Sequence, residues 1–147
     1  MKAKIWSLAV ITILGAHAVN ASPVEPSLCD RLAAHPWDPL RIGQPVYWNQ
    51  ISTSEAVTEC RKAVEAEPSP RNMYQYARAL SKARRYDEAA GWLMRAAEAG
   101  YPQAEFSLGD TYEYGEGVPR SRPKAKAWYT RAASHGHEKA KDRVNKW

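Results

Sequence analysis

A serine and a lysine are the residues of this sequence whose types and spacing come nearest to a catalytic pair. Ser121 and Lys124, in the stretch "SRPK", stand one helical turn apart, where a lysine could activate the serine hydroxyl as a nucleophile. The Ser-Asp-Asn and Lys-Thr-Gly motifs that accompany such a pair in known enzymes do not occur in the chain. We therefore expect Ser121 to cap a helix, and we expect the protein not to be an enzyme.

The tripeptide "HGH", His135 to His137, invites a metal-binding interpretation. However, no third ligand stands at helical spacing from the two histidines, and a structural zinc site takes four ligands. A polar turn around Gly136 is the favoured interpretation. The sequence predicts neither a metal nor a cofactor.

Two glycines in "GDTYEYGEGV" could form a phosphate-binding loop or could end a helix. A phosphate loop would follow a strand and continue into Gly-Lys-Ser or Gly-Lys-Thr, and neither feature is present. We expect Gly115 to end a helix in the left-handed conformation. We expect Gly117 to adopt a second positive φ in the following turn.

The first 21 residues have the pattern of a secretory signal peptide. Lys2 and Lys4 precede the apolar run "IWSLAVITIL", and small residues follow it. The run is too short for a bilayer core of about 30 Å, which takes roughly 20 residues to span. Cleavage is expected after Ala18 or Ala21. The mature protein is expected to be periplasmic or secreted, with no stable membrane insertion after cleavage.

The net charge of the chain is small and positive. Removing residues 1–21 takes away two lysines and no acidic residue, so the net charge falls from +5 to +3. Basic and acidic side chains are interspersed, whereas a nucleic-acid footprint needs a clustered basic stripe. We predict no nucleic-acid partner. The positive balance leaves binding of an anionic envelope polymer as an alternative function.

Two cysteines, Cys29 and Cys60, remain after signal cleavage. In an oxidising compartment such a pair normally forms a disulfide, which we predict here. Closing a loop of this length would stabilise the fold by about 3 to 4 kcal/mol.

An internal repeat predicts the fold. The segment "EAAGWLMRAAEAG" (Glu88 to Gly100) aligns without a gap with "KAKAWYTRAASHG", which lies 36 residues later. A fixed period of this size is typical of stacked helical hairpins. We predict an all-α solenoid in which Ala96 and Ala132 allow close helix contact while Trp92 and Trp128 fill the gaps. Gly109 shares an apolar helical stripe with its neighbours one turn away.

The rest of the chain can be divided on the same plan. Residues 22–51 are expected to form a short helix and an irregular arm, which the disulfide staples to the repeats. Prolines in "PWDPLRIGQPVYWNQ" forbid a regular element there. The repeat domain spans 52–147, divided into a partial hairpin (52–67), two hairpins (71–100 and 101–136) and a capping helix (137–147).

The two hairpins resemble known repeat families. Residues 104–136 resemble a Sel-1-like repeat, with Leu-Gly-x-x-Tyr, Gly-x-Gly-Val, Trp-Tyr, Ala-Ala and a final Gly. The preceding hairpin, "MYQYARALSKARRYDEAAGWLMRAAEAGYP", resembles the related tetratricopeptide repeat. The segment "CDRLAAHPWDP" resembles the front of small exported bacterial proteins of this class.

The resemblance implies a non-enzymatic scaffold that binds a protein partner of the cell envelope in its concave face. Carried onto this sequence, the concave positions are Tyr74, Arg78, Ser81, Lys82, Phe106, Asp110, Glu113 and Tyr114. They would give the face a basic end and an acidic end, and the partner segment a mixed charge. Some cysteine-rich relatives are linked to penicillin binding or β-lactam hydrolysis. A β-lactam-binding or β-lactam-hydrolysing envelope enzyme that uses Ser121 is therefore an alternative.

The arm contains three aromatic residues, Trp37, Tyr47 and Trp48. Aromatic faces suit carbohydrate rings, so these side chains could form a sugar-stacking platform. The favoured interpretation is a lid over the first hairpin.

Overall fold

The computed structural model describes residues 24–147, which form seven α-helices and one short 3₁₀ turn, with no strand in that range. The predicted signal peptide lies outside the described residues. The elements are α1 (Leu28–Ala33), the 3₁₀ turn (Trp48–Gln50), α2 (Thr53–Ala66), α3 (Pro70–Lys82), α4 (Tyr86–Glu98), α5 (Pro102–Tyr114), α6 (Arg122–Ser134) and α7 (Glu138–Val144).

In α3 and α6 a serine hydroxyl caps the first turn, which also contains a proline. Ser69 accepts a hydrogen bond from the Asn72 backbone N–H at 3.2 Å, and Ser121 accepts from the Lys124 N–H at 3.5 Å. Each cap satisfies a backbone donor that has no partner inside its helix. The prediction that Ser121 caps α6 is confirmed.

The turn after α5 has the predicted glycine geometry. Gly115 ends the helix with φ of 79°, and Gly117 follows with φ of 71°. Gly117 is restricted further, because a Cβ at this position would collide with the carbonyl oxygen of Tyr86. The turn therefore fixes the second hairpin against the start of α4.

The helices pack in chain order as a short solenoid, as predicted. Each of α2 to α6 packs on the next, and α7 is the last helix of this series. Ala96 and Ala132 are fully buried, whereas Trp92 and Trp128 are half-buried at the border of the main core cluster. Small residues at the contacts thus let the helices approach closely, with larger rings around them.

Cys29 and Cys60 form the predicted disulfide, which joins α1 to α2. Both cysteines are buried, and the buried carboxylate of Asp30 beside them accepts from the Gln75 side-chain amide at 2.7 Å. Residues 34–51, here called the arm, lie within the loop that the disulfide closes. In residues 24–147 no helix is both long enough and apolar enough to cross a bilayer.

Candidate functional site

A groove runs along α3, α5 and α7, and the arm forms its other wall. It contains two cavities of about 200 and 440 Å³, which share His35 and Asp110 in their lining. Trp48 and Ser81 line the smaller cavity, and Trp37 lines the larger one. The arm therefore shapes the face that the sequence predicted to bind a partner.

Hydrogen bonds at two places fix the arm against the helices. The Arg78 guanidinium donates to the carbonyl oxygens of Ala33 at 2.9 Å and Val46 at 2.6 Å. Farther along, the Tyr101 hydroxyl donates to the Asp38 carboxylate at 2.6 Å. Because Asp38 is buried, its pKa is raised despite this hydrogen bond.

Tyr74 and Arg78, predicted as partner-binding positions of the concave face, are largely covered. Their side chains are only 2% and 5% exposed, because the arm covers them. Both residues nevertheless line the smaller cavity, and the sequence did not show that the arm lies over this part of α3. A partner could reach these residues only through the smaller cavity.

The part of the groove that the arm covers contains an arginine without a carboxylate partner among the described residues and a histidine with a lowered pKa. Arg78 forms no ion pair with any carboxylate of residues 24–147, its Nε has no hydrogen-bond partner there, and burial lowers its pKa. Burial, and then the nearby Arg78 charge, lower the pKa of His35 to about 3. His35 is therefore neutral at physiological pH.

The predicted acidic end of the face is largely compensated. The Tyr129 hydroxyl lies 2.6 Å from both the Asp110 and the Glu113 carboxylates, and can donate to one of them at a time. Arg143 of α7 approaches the same carboxylates at 3.2 and 3.4 Å. The free negative charge expected from Asp110 and Glu113 is therefore reduced by a residue of the capping helix.

The remaining predicted positions differ in accessibility. The Phe106 ring stacks on His137 with ring centroids 4.5 Å apart, and the Lys82 ammonium lies 5.3 Å from the Trp48 ring. Tyr114 is 60% exposed, and its hydroxyl accepts from Arg143 at 3.3 Å. Of the predicted concave positions, Tyr114 presents the most open surface.

Comparison with known proteins identifies the repeat. A family model described as "Sel1 repeat" matches residues 73–101 and 102–137. A crystal structure of a Sel1 repeat protein from Oxalobacter formigenes is 37% identical to this chain. It matches 67% of this chain and 76% of its own length, with a TM-score of 0.56. The chain belongs to the Sel1 repeat family.

The family assignment covers both hairpins. Residues 73–101, which resembled the related tetratricopeptide repeat, also match as a Sel1 repeat. Sel1 repeat proteins generally mediate protein–protein interactions, and the repeat is in general not catalytic.

Two curated proteins also match part of this Sel1 repeat protein. They are the chitin synthase regulators SKT5 of Malassezia restricta, 47% identical over 40% of this chain, and of Saccharomyces cerevisiae, 44% identical over 37%. The matched regions span only 4% and 8% of these relatives.

The other candidate motifs of this Sel1 repeat protein make structural contacts. The Lys124 ammonium lies 5.2 Å from the Tyr112 ring, while the Ser121 hydroxyl caps α6. His135 contacts the Glu105 carboxylate at 2.8 Å, and His137 contacts the Gln103 amide oxygen at 2.9 Å. Residues 24–147 contain no group of three His, Cys, Asp or Glu placed to hold a metal.

The aromatic residues of the arm do not form a single platform. Trp37 is 57% exposed beneath the Lys139 ammonium, 3.6 Å from its ring centre, and lines the larger cavity. Trp48 is 50% exposed and lines the smaller cavity. The two indoles thus stand at separate places along the groove.

Sequence reasoning missed the groove residues that come from the arm, from α7 and from the residues after α7, among them His35, Lys139 and Lys146. No periodicity reveals the path of the arm. The sequence did contain a signal for the basic side chains of α7, because the last 30 residues have a strongly positive net charge. The expectation of interspersed charge is therefore wrong for this part of the chain.

Proposed function

We propose that this protein is a non-enzymatic, exported adaptor that holds a segment of another protein in the groove between the arm and α3, α5 and α7. One observation carries the proposal: two open cavities share lining residues and are each bordered by a half-exposed tryptophan. Tryptophans in pockets are frequent energetic anchors of protein interfaces. The hydroxyls of Ser81 and Ser107 line the same groove and could orient a bound backbone.

The family supports this function, because Sel1 repeat proteins generally act through protein contacts. The curated relatives are named as regulators of a synthase, which fits an adaptor better than a catalyst. Export is supported by the pattern of residues 1–21 together with a disulfide of the kind that persists in oxidising compartments. The proposed location is the periplasm or the secreted fraction.

Site-specific cross-linking would test the groove. A photoreactive side chain replaces Ser81, which lines the smaller cavity, or Thr58, which is exposed on α2. The first protein is expected to capture a defined partner in its native compartment. Adding Trp48→Ala should weaken that capture by roughly tenfold, as expected for loss of an aromatic anchor.

The matched control is Tyr47→Ala. Tyr47 is 53% exposed and adjacent to Trp48, but does not belong to the lining of either groove cavity. Capture should survive this change. Equal capture from the Ser81 and Thr58 positions, or equal sensitivity to the Trp48 and Tyr47 changes, would remove the groove as the binding site.

A further inference from the structure

The charge of this protein is divided along the chain. Residues 118–147 contain nine Lys or Arg and two Asp or Glu, a net charge of +7. Residues 24–117 contain ten and fourteen, respectively, a net charge of −4. The mild overall balance therefore hides a strongly basic C-terminal end.

This excess is densest around the start of α6. Four exposed side chains, here called the basic face, occur within seven residues: Arg120, Arg122, Lys124 and Lys126. The helix itself contains no acidic residue, and none of the four pairs with a carboxylate of residues 24–147. On α2, by contrast, Arg61 and Lys62 each pair with a glutamate. The positive charge of the basic face is therefore not neutralised by carboxylates of residues 24–147.

Side-chain contacts hold part of the basic face in place. The Arg122 guanidinium lies 4.9 Å from the Trp147 ring centre, and the Lys124 ammonium lies 5.2 Å from that of Tyr112. Arg120 donates from Nε to the Glu113 carbonyl oxygen at 2.8 Å. All four cations are exposed, and none of them lines either of the two groove cavities.

We propose that the basic face docks this protein on the surface of a lipid bilayer that contains anionic phospholipids. Spread lysines and arginines suit a surface of many anionic headgroups, whereas one bound anion would need donors that converge in a pocket. Half-buried Trp128 and Trp147 adjoin Arg131 and Arg122, and indole beside a cation suits the headgroup layer. A polyanionic chain is the alternative occupant.

The docking is electrostatic and reversible. The large apolar side chains that are exposed in residues 24–147 all lie at or before Tyr114, so the basic end offers none to insert between lipids. Each lysine or arginine near an anionic bilayer contributes about fivefold to affinity. Salt screens such contacts over about 8 Å at physiological ionic strength. The adsorbed protein leaves its groove open to a partner.

Vesicle sedimentation tests this proposal. The purified protein is expected to bind vesicles of phosphatidylcholine with about 30% phosphatidylglycerol, to release with added salt, and not to bind pure phosphatidylcholine. The double variant Lys124→Gln with Lys126→Gln should bind about 25-fold more weakly, since two such contacts are lost. Circular dichroism checks that the helices are intact.

The control variant Arg61→Gln with Lys62→Gln removes the same charge from α2 and should bind within about twofold of the wild type. An equal loss in both variants would show that only net charge matters and would overturn the proposal. It would also fall if soluble polyphosphate bound through the basic face while the anionic vesicles did not. Partner capture at Ser81 uses other residues, so failure here is distinguishable from failure of the adaptor function.

Discussion

At the scale of single residues, the contact between α5 and α6 depends on a glycine that faces a tyrosine. The Tyr129 ring is fully buried, and a Cβ built on Gly109 would lie 2.5 Å from one of its ring carbons. Separations below 3.0 Å force a shift of backbone or ring. The same tyrosine directs its hydroxyl to Asp110 and Glu113, so its position determines part of the groove wall.

Gly109→Ala is expected to destabilise the protein by about 1 to 3 kcal/mol, because the added methyl overpacks a filled contact. Gly91→Ala is the matched control. It lies within α4 with no atom within 4 Å of an added Cβ, and should stabilise the protein by about 0.5 to 1 kcal/mol. Urea unfolding measures both changes. Equal effects would mean that the Tyr129 contact does not limit the residue at position 109.

The neutral state of His35 predicts a pH dependence of stability. An unfolded chain binds the imidazole proton near pH 6.5, whereas the folded pKa is about 3. At pH 5 the unfolded state holds the extra proton, so the free energy of unfolding falls as pH drops below 6.5. The expected loss from His35 at pH 5 is about 1 to 2 kcal/mol.

Comparing wild type with His35→Asn between pH 7 and 5 isolates this contribution. The titratable groups near His35 that lower its pKa are Arg78, His137, Lys139 and Arg41, and both proteins keep them. Burial also lowers the pKa of His137, while that of Asp38 is raised and acts in the opposite direction at lower pH. An unchanged pH slope in the variant would contradict a neutral His35.

At the scale of elements, the sequence predicted the helices far better than the path of the arm. The repeat located α4 and α6, and the residue types at Gly115 and Ser121 predicted a helix end and a helix start. The arm has no periodicity, because its prolines prevent a regular element. Its path follows from contacts across the fold, such as Arg78 to the Val46 carbonyl. Local pattern does not contain that information.

The same limit explains the error over the acidic end of the groove. Asp110 and Glu113 looked free in sequence because their cation, Arg143, lies about 30 residues farther on. It reaches them only because α7 folds back on α6. Residue type and helical spacing could predict which side chains share a helix face. They could not predict which of those side chains another element would neutralise.

Tyr101→Phe is expected to loosen the arm. It leaves the buried Asp38 carboxylate without its hydroxyl donor, at a cost of about 1 to 3 kcal/mol. Amide hydrogen exchange should rise in the arm, including the Val46 N–H that donates to the Ala34 carbonyl oxygen. Tyr47→Phe removes a hydroxyl from an exposed side chain and should leave exchange unchanged. Equal exchange in both variants would show that this bond does not hold the arm.

At the scale of the whole molecule, the two proposed surfaces use different residues of one short solenoid. The groove is built by α3, α5, α7 and the arm, whereas the basic face lies at the start of α6. A standard interface takes about 800 Å² from each partner. That area is a large share of the inner surface of a solenoid this short. A second surface that holds the protein at a bilayer would raise the effective concentration of the groove near membrane-bound partners.

The disulfide also has a topological consequence. Cys29 and Cys60 are 31 positions apart, and together with the backbone between them they form a covalent ring that contains the whole arm. A single peptide-bond cut inside that ring leaves one connected molecule. A single proteolytic cut in the arm would therefore leave the mass of the chain together, and the two pieces would separate only after the disulfide is reduced.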